Sequence, residues 1–221
     1  MPSKIKAWSY SRYAVYAKCP RQFKLKFIDK LPEPQKNWAA DRGTILHAKA
    51  ESFILGRIKG MPKELKPFSS ELKYLRDSMA DVEVDLSVTR AWEPTHTKDW
   101  DRVWCRAFLD VKLLEDKELT VVDHKTGKIY DSHEEQGELY GVTAMCHEPK
   151  AEVVDVEMWY YDQGAEVLSW KYYRKDLEKL KKKWEDKVKP IFRDTKFAPC
   201  PGAHCRWCNF SKKAGGPCEY S

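Results

Sequence analysis

Residues 119–125 read Leu119-Thr120-Val121-Val122-Asp123-His124-Lys125, and their pattern decides the fold. Side chains on a strand alternate between faces, so Asp123 and Lys125 project together while His124 points to the other side. The adjacent pair Val121-Val122 puts one apolar residue on each face. That predicts a strand covered on both sides, inside a sheet flanked by helices. Upstream, Asp116-Lys117-Glu118 marks a turn and Val103 to Leu114 reads as the preceding strand. So short a connection lets Asp110 lie beside Asp123. Two neighbouring carboxylates repel, and a divalent cation such as magnesium or manganese, which favours oxygen ligands, relieves the repulsion. The Lys125 ammonium can then orient an attacking water or stabilise charge developing at phosphorus.

Outward from this stretch, the period changes. Val82, Val84, Leu86 and Val88 alternate with polar residues, as in a half-buried strand. Ser132 to His147 predicts a helix. Glu152 to Tyr161 and Val167 to Tyr173 read as a hairpin around Gln163-Gly164, and Asp176 to Phe192 as a lysine-rich helix. The N-terminal third is helical in period. A helix capped at Ser9-Tyr10-Ser11 runs to Cys19-Pro20, and Gln22 to Ile28 reads as a second helix or a short strand. Trp38 to Leu55 is closed by Gly56, and a shorter helix covers Glu71 to Met79. This order predicts an α/β domain with a mixed central sheet. With no internal repeat and no long linker, residues 1–221 read as a single domain. It has a helical part at 1–80, a sheet core at 81–175, and a C-terminal helix with a cysteine segment at 176–221.

Composition narrows the class. With 33% charged and 42% hydrophobic residues, the chain can build a core and is not of the disordered type. No apolar run approaches a membrane span, and Met1-Pro2-Ser3-Lys4 has no apolar signal core. The expectation is a cytoplasmic protein with no membrane partner. A net charge of +6 admits a nucleic-acid partner without requiring one.

The seven cysteines are unevenly placed. Cys19, Cys105 and Cys146 are scattered, whereas Cys200, Cys205, Cys208 and Cys218 crowd the C-terminal end. An odd number with no export signal argues against a disulfide framework and for metal. Cys205-Arg206-Trp207-Cys208 places two thiolates within reach of one centre and Cys218 adds a third. One reading is a local zinc site on Cys200, Cys205, Cys208 and Cys218, with His204 as a competing ligand. Cys105 and Cys146 read as core thiols. Trp92, Trp100 and Trp104 could stack on unpaired bases, but most aromatics in a domain of this size fill the core, and no site is placed on them. The lysines between Lys175 and Lys189 read as a solvated helix face.

Further polar residues stand where they could join the strand site. Arg42-Gly43-Thr44-Ile45-Leu46-His47 falls on a predicted helix, and a neutral His47 imidazole suits a third metal ligand. Gln136 and Tyr140, at i and i+4, share a helix face and suit hydrogen bonds to a phosphate or to Lys125.

Taken in order, five stretches resemble the successive motifs of RecB-type nucleases of the PD-(D/E)XK superfamily. They are Ser9-Tyr10-Ser11 with Cys19-Pro20-Arg21; Arg42-Gly43-Thr44 with His47; Phe108-Leu109-Asp110; Val122-Asp123-His124-Lys125-Thr126-Gly127; and Gln136-Gly137-Glu138-Leu139-Tyr140. The resemblance runs from about Trp8 to Cys218. It implies a restriction-endonuclease-like core and a magnesium- or manganese-dependent DNA exonuclease acting on DNA ends or single strands. Hydrolysis would leave a 5′-phosphate and a 3′-hydroxyl. By the same resemblance His47, Asp110, Asp123 and the backbone carbonyl of His124 hold the metal, Lys125 is the catalytic lysine, and Gln136 and Tyr140 complete the site. His124 departs from relatives that carry tyrosine or another bulky residue there.

Iron–sulfur relatives, the AddB subunit and the Cas-four nucleases, take a cluster ligand from an N-terminal Cys-Pro-Arg. The likeness of Cys19-Pro20-Arg21 implies a 4Fe-4S cluster on Cys19, Cys205, Cys208 and Cys218, with the C-terminal segment packed against the N-terminal helix. Since helicase motifs are absent, the implied partners are DNA and a helicase, recombination or integration protein. Trimming DNA for CRISPR adaptation is a second implied role. From a different class, a non-catalytic DNA-end-binding protein is the alternative.

Overall fold

The computed structural model of the protein describes residues 5–33 and 38–220, with the side chains of residues 38–41 left aside. The chain divides into two compact units, Met1–Asn37 with Trp184–Ser221, and Trp38–Lys183.

The first unit opens with a two-residue strand, β1 (Trp8–Ser9), and helix α1 (Tyr10–Lys18). Ser9 caps α1, its hydroxyl accepting the Arg12 N–H at 3.4 Å. Helix α2 (Pro20–Phe23) starts on a proline, whose missing N–H costs nothing at a helix start. One π-helical turn, Lys24–Ile28, follows directly, so residues 22–28 take the helical of their two expected forms. Aromatic side chains hold this unit. Trp8 stacks on Trp184 at 5.6 Å, Phe23 on Phe197 at 6.2 Å, and the Tyr16 hydroxyl donates to Asp194 at 2.9 Å. The tail lacks long elements. It is folded by short 3-10 turns at Ala203–Trp207 and Lys212–Ala214 and by a bridge between Ser211 and Cys218. A Cβ on Gly216 would fall 2.3 Å from the Phe210 carbonyl carbon, so only glycine fits that crossing.

The second unit contains helices α3 (Trp38–Ile54) and α4 (Ser69–Asp77), then strands β2 (Asp81–Asp85), β3 (Val88–Thr89), β4 (Val103–Arg106), β5 (Phe108–Glu115) and β6 (Glu118–Lys125). Helix α5 (Ser132–His147), strands β7 (Val153–Tyr160) and β8 (Glu166–Tyr173) and the first turns of helix α6 (Leu177–Arg193), whose remainder counts with the first unit, follow. Five strands form one mixed sheet in the order β2-β5-β6-β7-β8. All neighbours are antiparallel except β6 and β7. Those two are joined through α5, the kind of crossover that parallel strands need.

On one face, Leu46, Phe53, Leu72, Leu75, Val111, Val122 and Trp159 form a buried apolar cluster, each full burial of a leucine contributing about 1.5–3 kcal/mol. On α5, Leu139, Tyr140, Val142 and Thr143 are buried, and Gly141 lets the helix approach β8. A Cβ there would stand 2.7 Å from Tyr172 Cδ2.

Two expected strands are broken. The run from Val82 to Val88 stops after Asp85, whose carboxylate accepts the N–H groups of Ser87 at 3.0 Å and Thr97 at 2.7 Å. A side chain that bonds local backbone competes with the strand ladder. The run from Val103 to Leu114 breaks at Ala107. Its first part pairs with β3 and its second with β2 and β6. Trp92 and Trp104 are buried edge to face at 5.3 Å, while Trp100 is exposed beneath the Arg106 guanidinium, 4.2 Å from the ring centre. Cys105 is buried, as a core thiol should be; Cys146 is only half-buried. Among the described residues no helix is long and apolar enough to cross a membrane.

Candidate active site

The site gathers on β5 and β6. Their register, Val111 opposite Val122, seats Asp110 within reach of β6: its Oδ2 accepts the His124 backbone N–H at 2.7 Å. Its other oxygen, Oδ1, meets His47 Nδ1 of α3 at 2.9 Å. Burial alone would raise the Asp110 pKa. The His47 hydrogen bond, with the pull of the neighbouring histidines and the His124 backbone N–H, outweighs burial and holds it below the ordinary carboxylate range. For His47, burial opposes the charged form. Asp110, aided by Asp123, overcomes it and lifts the imidazole above its ordinary value.

Asp123 is almost fully buried and shifts the other way. Burial raises its pKa, Lys125 opposes the rise, and the Asp110 charge reinforces it. Lys125 Nζ lies 2.5 Å from Asp123 Oδ2, yet no donor meets that buried oxygen in hydrogen-bond geometry. Lys125 also donates to Gln136 Oε1 at 3.0 Å, and Gln136 Nε2 reaches the Tyr140 hydroxyl at 2.7 Å. Burial, with the Asp123 and Asp110 charges behind it, keeps Tyr140 a neutral phenol. The i, i+4 pair on α5 therefore reaches the lysine, one of its two expected targets.

The His124 ring takes the opposite face, as strand alternation requires. It packs on Trp159 at 5.8 Å, its Nδ1 stands 3.1 Å from the Tyr161 hydroxyl, and burial pushes its pKa down to about 4.

Three participants escaped the sequence reading. Glu83 on β2 offers a carboxylate oxygen that lies, with ligand atoms of His47 and Asp110, in a group all within 4.8 Å of one another. Burial, then the charges of Asp110 and Glu51, raise its pKa. Asp162 clamps the turn after Lys125: it accepts the Gly127 N–H at 2.8 Å and takes the forked Arg42 guanidinium, while Gln163 Nε2 donates to Gly127 O at 2.8 Å. Gly127 has φ 91°, which suits glycine. His133 on α5 bonds the Tyr160 hydroxyl, and burial, with Lys125 nearby, pushes its pKa down to about 4. Glu83 and Asp162 become visible only when strand pairing is known. His133 lies one turn before Gln136 and was open to notice.

The donor set fits a divalent cation. It combines one imidazole nitrogen with carboxylate oxygens that lie within 4.8 Å of one another, and the buried Asp123 stands on the neighbouring strand.

In the first unit, Cys19, Cys200, His204, Cys205, Cys208 and Cys218 line one cavity. Burial raises the Cys208 pKa, and Cys218, Cys19 and Cys205 are the thiols close enough to act on it. The Cys200 N–H approaches Cys19 Sγ at 3.5 Å and the Gly202 N–H approaches Cys205 Sγ at 3.4 Å. Cys200 is exposed.

The helix-flanked mixed sheet thus carries Asp110, the buried Asp123 and Lys125 on two adjacent strands. The family profile described as PD-(D/E)XK nuclease superfamily matches residues 7–118 and 101–212, and the chain belongs to that superfamily. Among solved structures, SSO0001 is 15% identical with a TM-score of 0.51, over 100% of this chain and 91% of that one. A "Putative exonuclease" of Eubacterium rectale is 12% identical with a TM-score of 0.57, over 92% of this chain and 87% of that one. At such identities the likeness speaks to fold alone. None of the curated proteins matches the sequence.

Proposed function

We propose that the protein is a magnesium- or manganese-dependent deoxyribonuclease, an exonuclease acting on DNA ends or single strands in recombination, repair or replication. One observation carries the reading: Asp110, Asp123 and Lys125 meet on adjacent strands, with His47 from α3 and Gln136 and Tyr140 from α5 closing on the same place. Superfamily membership supports DNA as substrate, and the fold shared with the E. rectale protein supports the exonuclease form.

His47, Asp110, Asp123 and the His124 carbonyl are the groups to hold the ion. When bound, the ion supplies Lewis-acid polarisation of the scissile phosphate and a more acidic water. Lys125, steadied by Asp123 and Gln136, sets its cation against the charge that develops on the phosphate. Tyr140 keeps its proton and fixes Gln136, which in turn limits where Lys125 can swing.

The test is cleavage of end-labelled single- and double-stranded linear DNA with magnesium or manganese, compared with Asp110→Ala and Lys125→Ala. Loss in both variants supports the assignment, and undiminished cleavage by both refutes it.

The same proposal takes Cys19, Cys205, Cys208 and Cys218 as ligands of a 4Fe-4S cluster. The four line one cavity, with Cys200 and His204 beside them, which supports a shared metal group. Visible absorption bleached by dithionite supports the cluster; a colourless, zinc-containing protein overturns it. Trimming DNA for CRISPR adaptation would use the same residues, and co-purification with an integrase would favour that role over repair with a helicase partner. A cytoplasmic setting suits thiols that must stay reduced.

A further inference from the structure

Between Lys125 and helix α5 runs a short turn, residues 126–131, whose backbone is fixed at both ends. At its start the Gly127 N–H donates to Asp162 and the Gly127 carbonyl accepts from Gln163. At its end the Tyr130 carbonyl accepts the His133 N–H at 3.0 Å, which ties the turn to the first residues of α5. Within it Lys128 is exposed, and Tyr130 is 58% exposed.

A series of rings leads from the lysine to this tyrosine. Tyr160 stands opposite Lys125 in the parallel ladder of β6 and β7, and residues paired across a ladder share a face. Its buried ring stacks on His133 at 5.7 Å, and its hydroxyl bonds the His133 ring nitrogen. His133 in turn meets Tyr130 edge to face at 5.5 Å, and it lies near enough to Lys125 to feel its charge. Tyr130 ends the series at the surface. Among the described residues its hydroxyl has no hydrogen bond and its ring meets no ring but that of His133.

A ring held this way offers an open face that is already ordered, so a flat partner can stack on it at little entropic cost. Lysines beside it add a preference for a partner that carries negative charge. A nucleotide supplies both, its base for the ring and its phosphates for Lys125 and Lys128. In a duplex the faces of each internal base are covered by its neighbours, so stacking on a side chain needs an unpaired, splayed base.

We propose that Tyr130 is a stacking platform for an unpaired base of the strand held at Lys125, and that it favours single-stranded over duplex DNA. The inference rests on the nuclease reading above and deepens it by naming the form of the substrate.

The test is fluorescence-anisotropy binding by the full-length protein, in EDTA so that no strand is cut. The probes are labelled oligothymidylate, a duplex of the same length, and a strand of abasic nucleotides. Tyr130→Ala should weaken oligothymidylate binding about 5- to 150-fold, the loss expected for one stacked base. Tyr130→Phe should bind as the unmodified protein does. Neither variant should alter binding of the duplex or the abasic strand, whereas Lys128→Ala should weaken all three and flatten the salt dependence. Unchanged oligothymidylate binding by Tyr130→Ala overturns the platform and leaves the nuclease reading intact. Equal weakening on the abasic strand, or an equal loss in Tyr130→Phe, also overturns it, because stacking would then explain neither. If the unmodified protein binds none of the probes, the platform and the DNA reading fall together.

Discussion

Asp110 and His47 face each other at 2.9 Å, carboxylate oxygen to imidazole nitrogen, in an arrangement that favours a protonated histidine. A cation bound to both must displace that proton, since only the neutral imidazole coordinates. Manganese affinity is therefore expected to climb as pH rises from about 6.5 through the elevated His47 pKa. Titration calorimetry at several pH values reads this directly. His47→Ala should bind more weakly and lose most of the pH dependence in that window. A pH-independent affinity in the unmodified protein would show that His47 stays outside the ion's shell.

His124 titrates in the opposite sense. Its folded pKa of about 4 lies below the unfolded value near 6.5, so acid drives protons onto the unfolded chain first. Stability measured by urea unfolding in EDTA should be intact above pH 6.5 and decline as pH falls toward 4. The loss from His124 is roughly 3 kcal/mol, at 1.36 kcal/mol per pKa unit. His133 adds a smaller loss in the same window because it is less buried. His47 is already protonated there and contributes no slope. In His124→Phe the decline should shrink to the His133 and carboxylate contributions, and an unchanged slope would clear His124 of any part in it.

Gln136 connects Lys125 to Tyr140 by bonds of 3.0 and 2.7 Å. Replacing it with leucine leaves Lys125 with Asp123 alone. Cleavage should fall about 10- to 100-fold, the scale typical of groups that orient a first ligand, while manganese affinity changes little. Single-turnover cleavage beside a binding titration separates the two. Weaker binding with normal turnover would contradict the positioning role.

Gly216 has no room for a Cβ against the Phe210 backbone, and Cys218 N–H donates to Phe210 O at 3.0 Å just beyond it. Gly216→Ala must push these backbones apart, at a cost on the order of 1–3 kcal/mol typical of overpacking. On the cluster proposal, iron content and visible absorbance should drop, with the secondary-structure signal of residues 38–183 kept. Full iron loading in that variant would show that Cys218 is not held to the proposed cluster through this crossing.

Much of this arrangement is legible in the residues themselves. Alternation around Asp123 and Lys125, the Ser9 cap and the long α5 period report local geometry, and the structure follows them. Contacts between distant segments are another matter. Val103 to Leu114 reads as one strand because its composition never falters, yet the partners differ on either side of Ala107. Asp85 ends β2 by bonding Thr97, a residue twelve positions on, which no strand period announces. Glu83 looked like an ordinary solvent-facing residue of an alternating strand. Its importance depends on the register of β2 against β5 and on a left-handed φ, neither of which composition encodes. Asp162 and Arg42 are 120 residues apart, and their clamp on Gly127 follows only from the fold.

The division of the chain has a consequence for its synthesis. The unit that carries the candidate catalytic centre is continuous, residues 38–183, whereas the unit that carries the cysteine cavity is assembled from both ends of the chain. Translation runs from the N-terminus and domains tend to fold as they emerge. When Lys183 leaves the ribosome, every acid and the lysine of the centre have been made. Of the four proposed cluster ligands only Cys19 has then emerged, so a cluster on all four would be completed only after the continuous unit has left the ribosome.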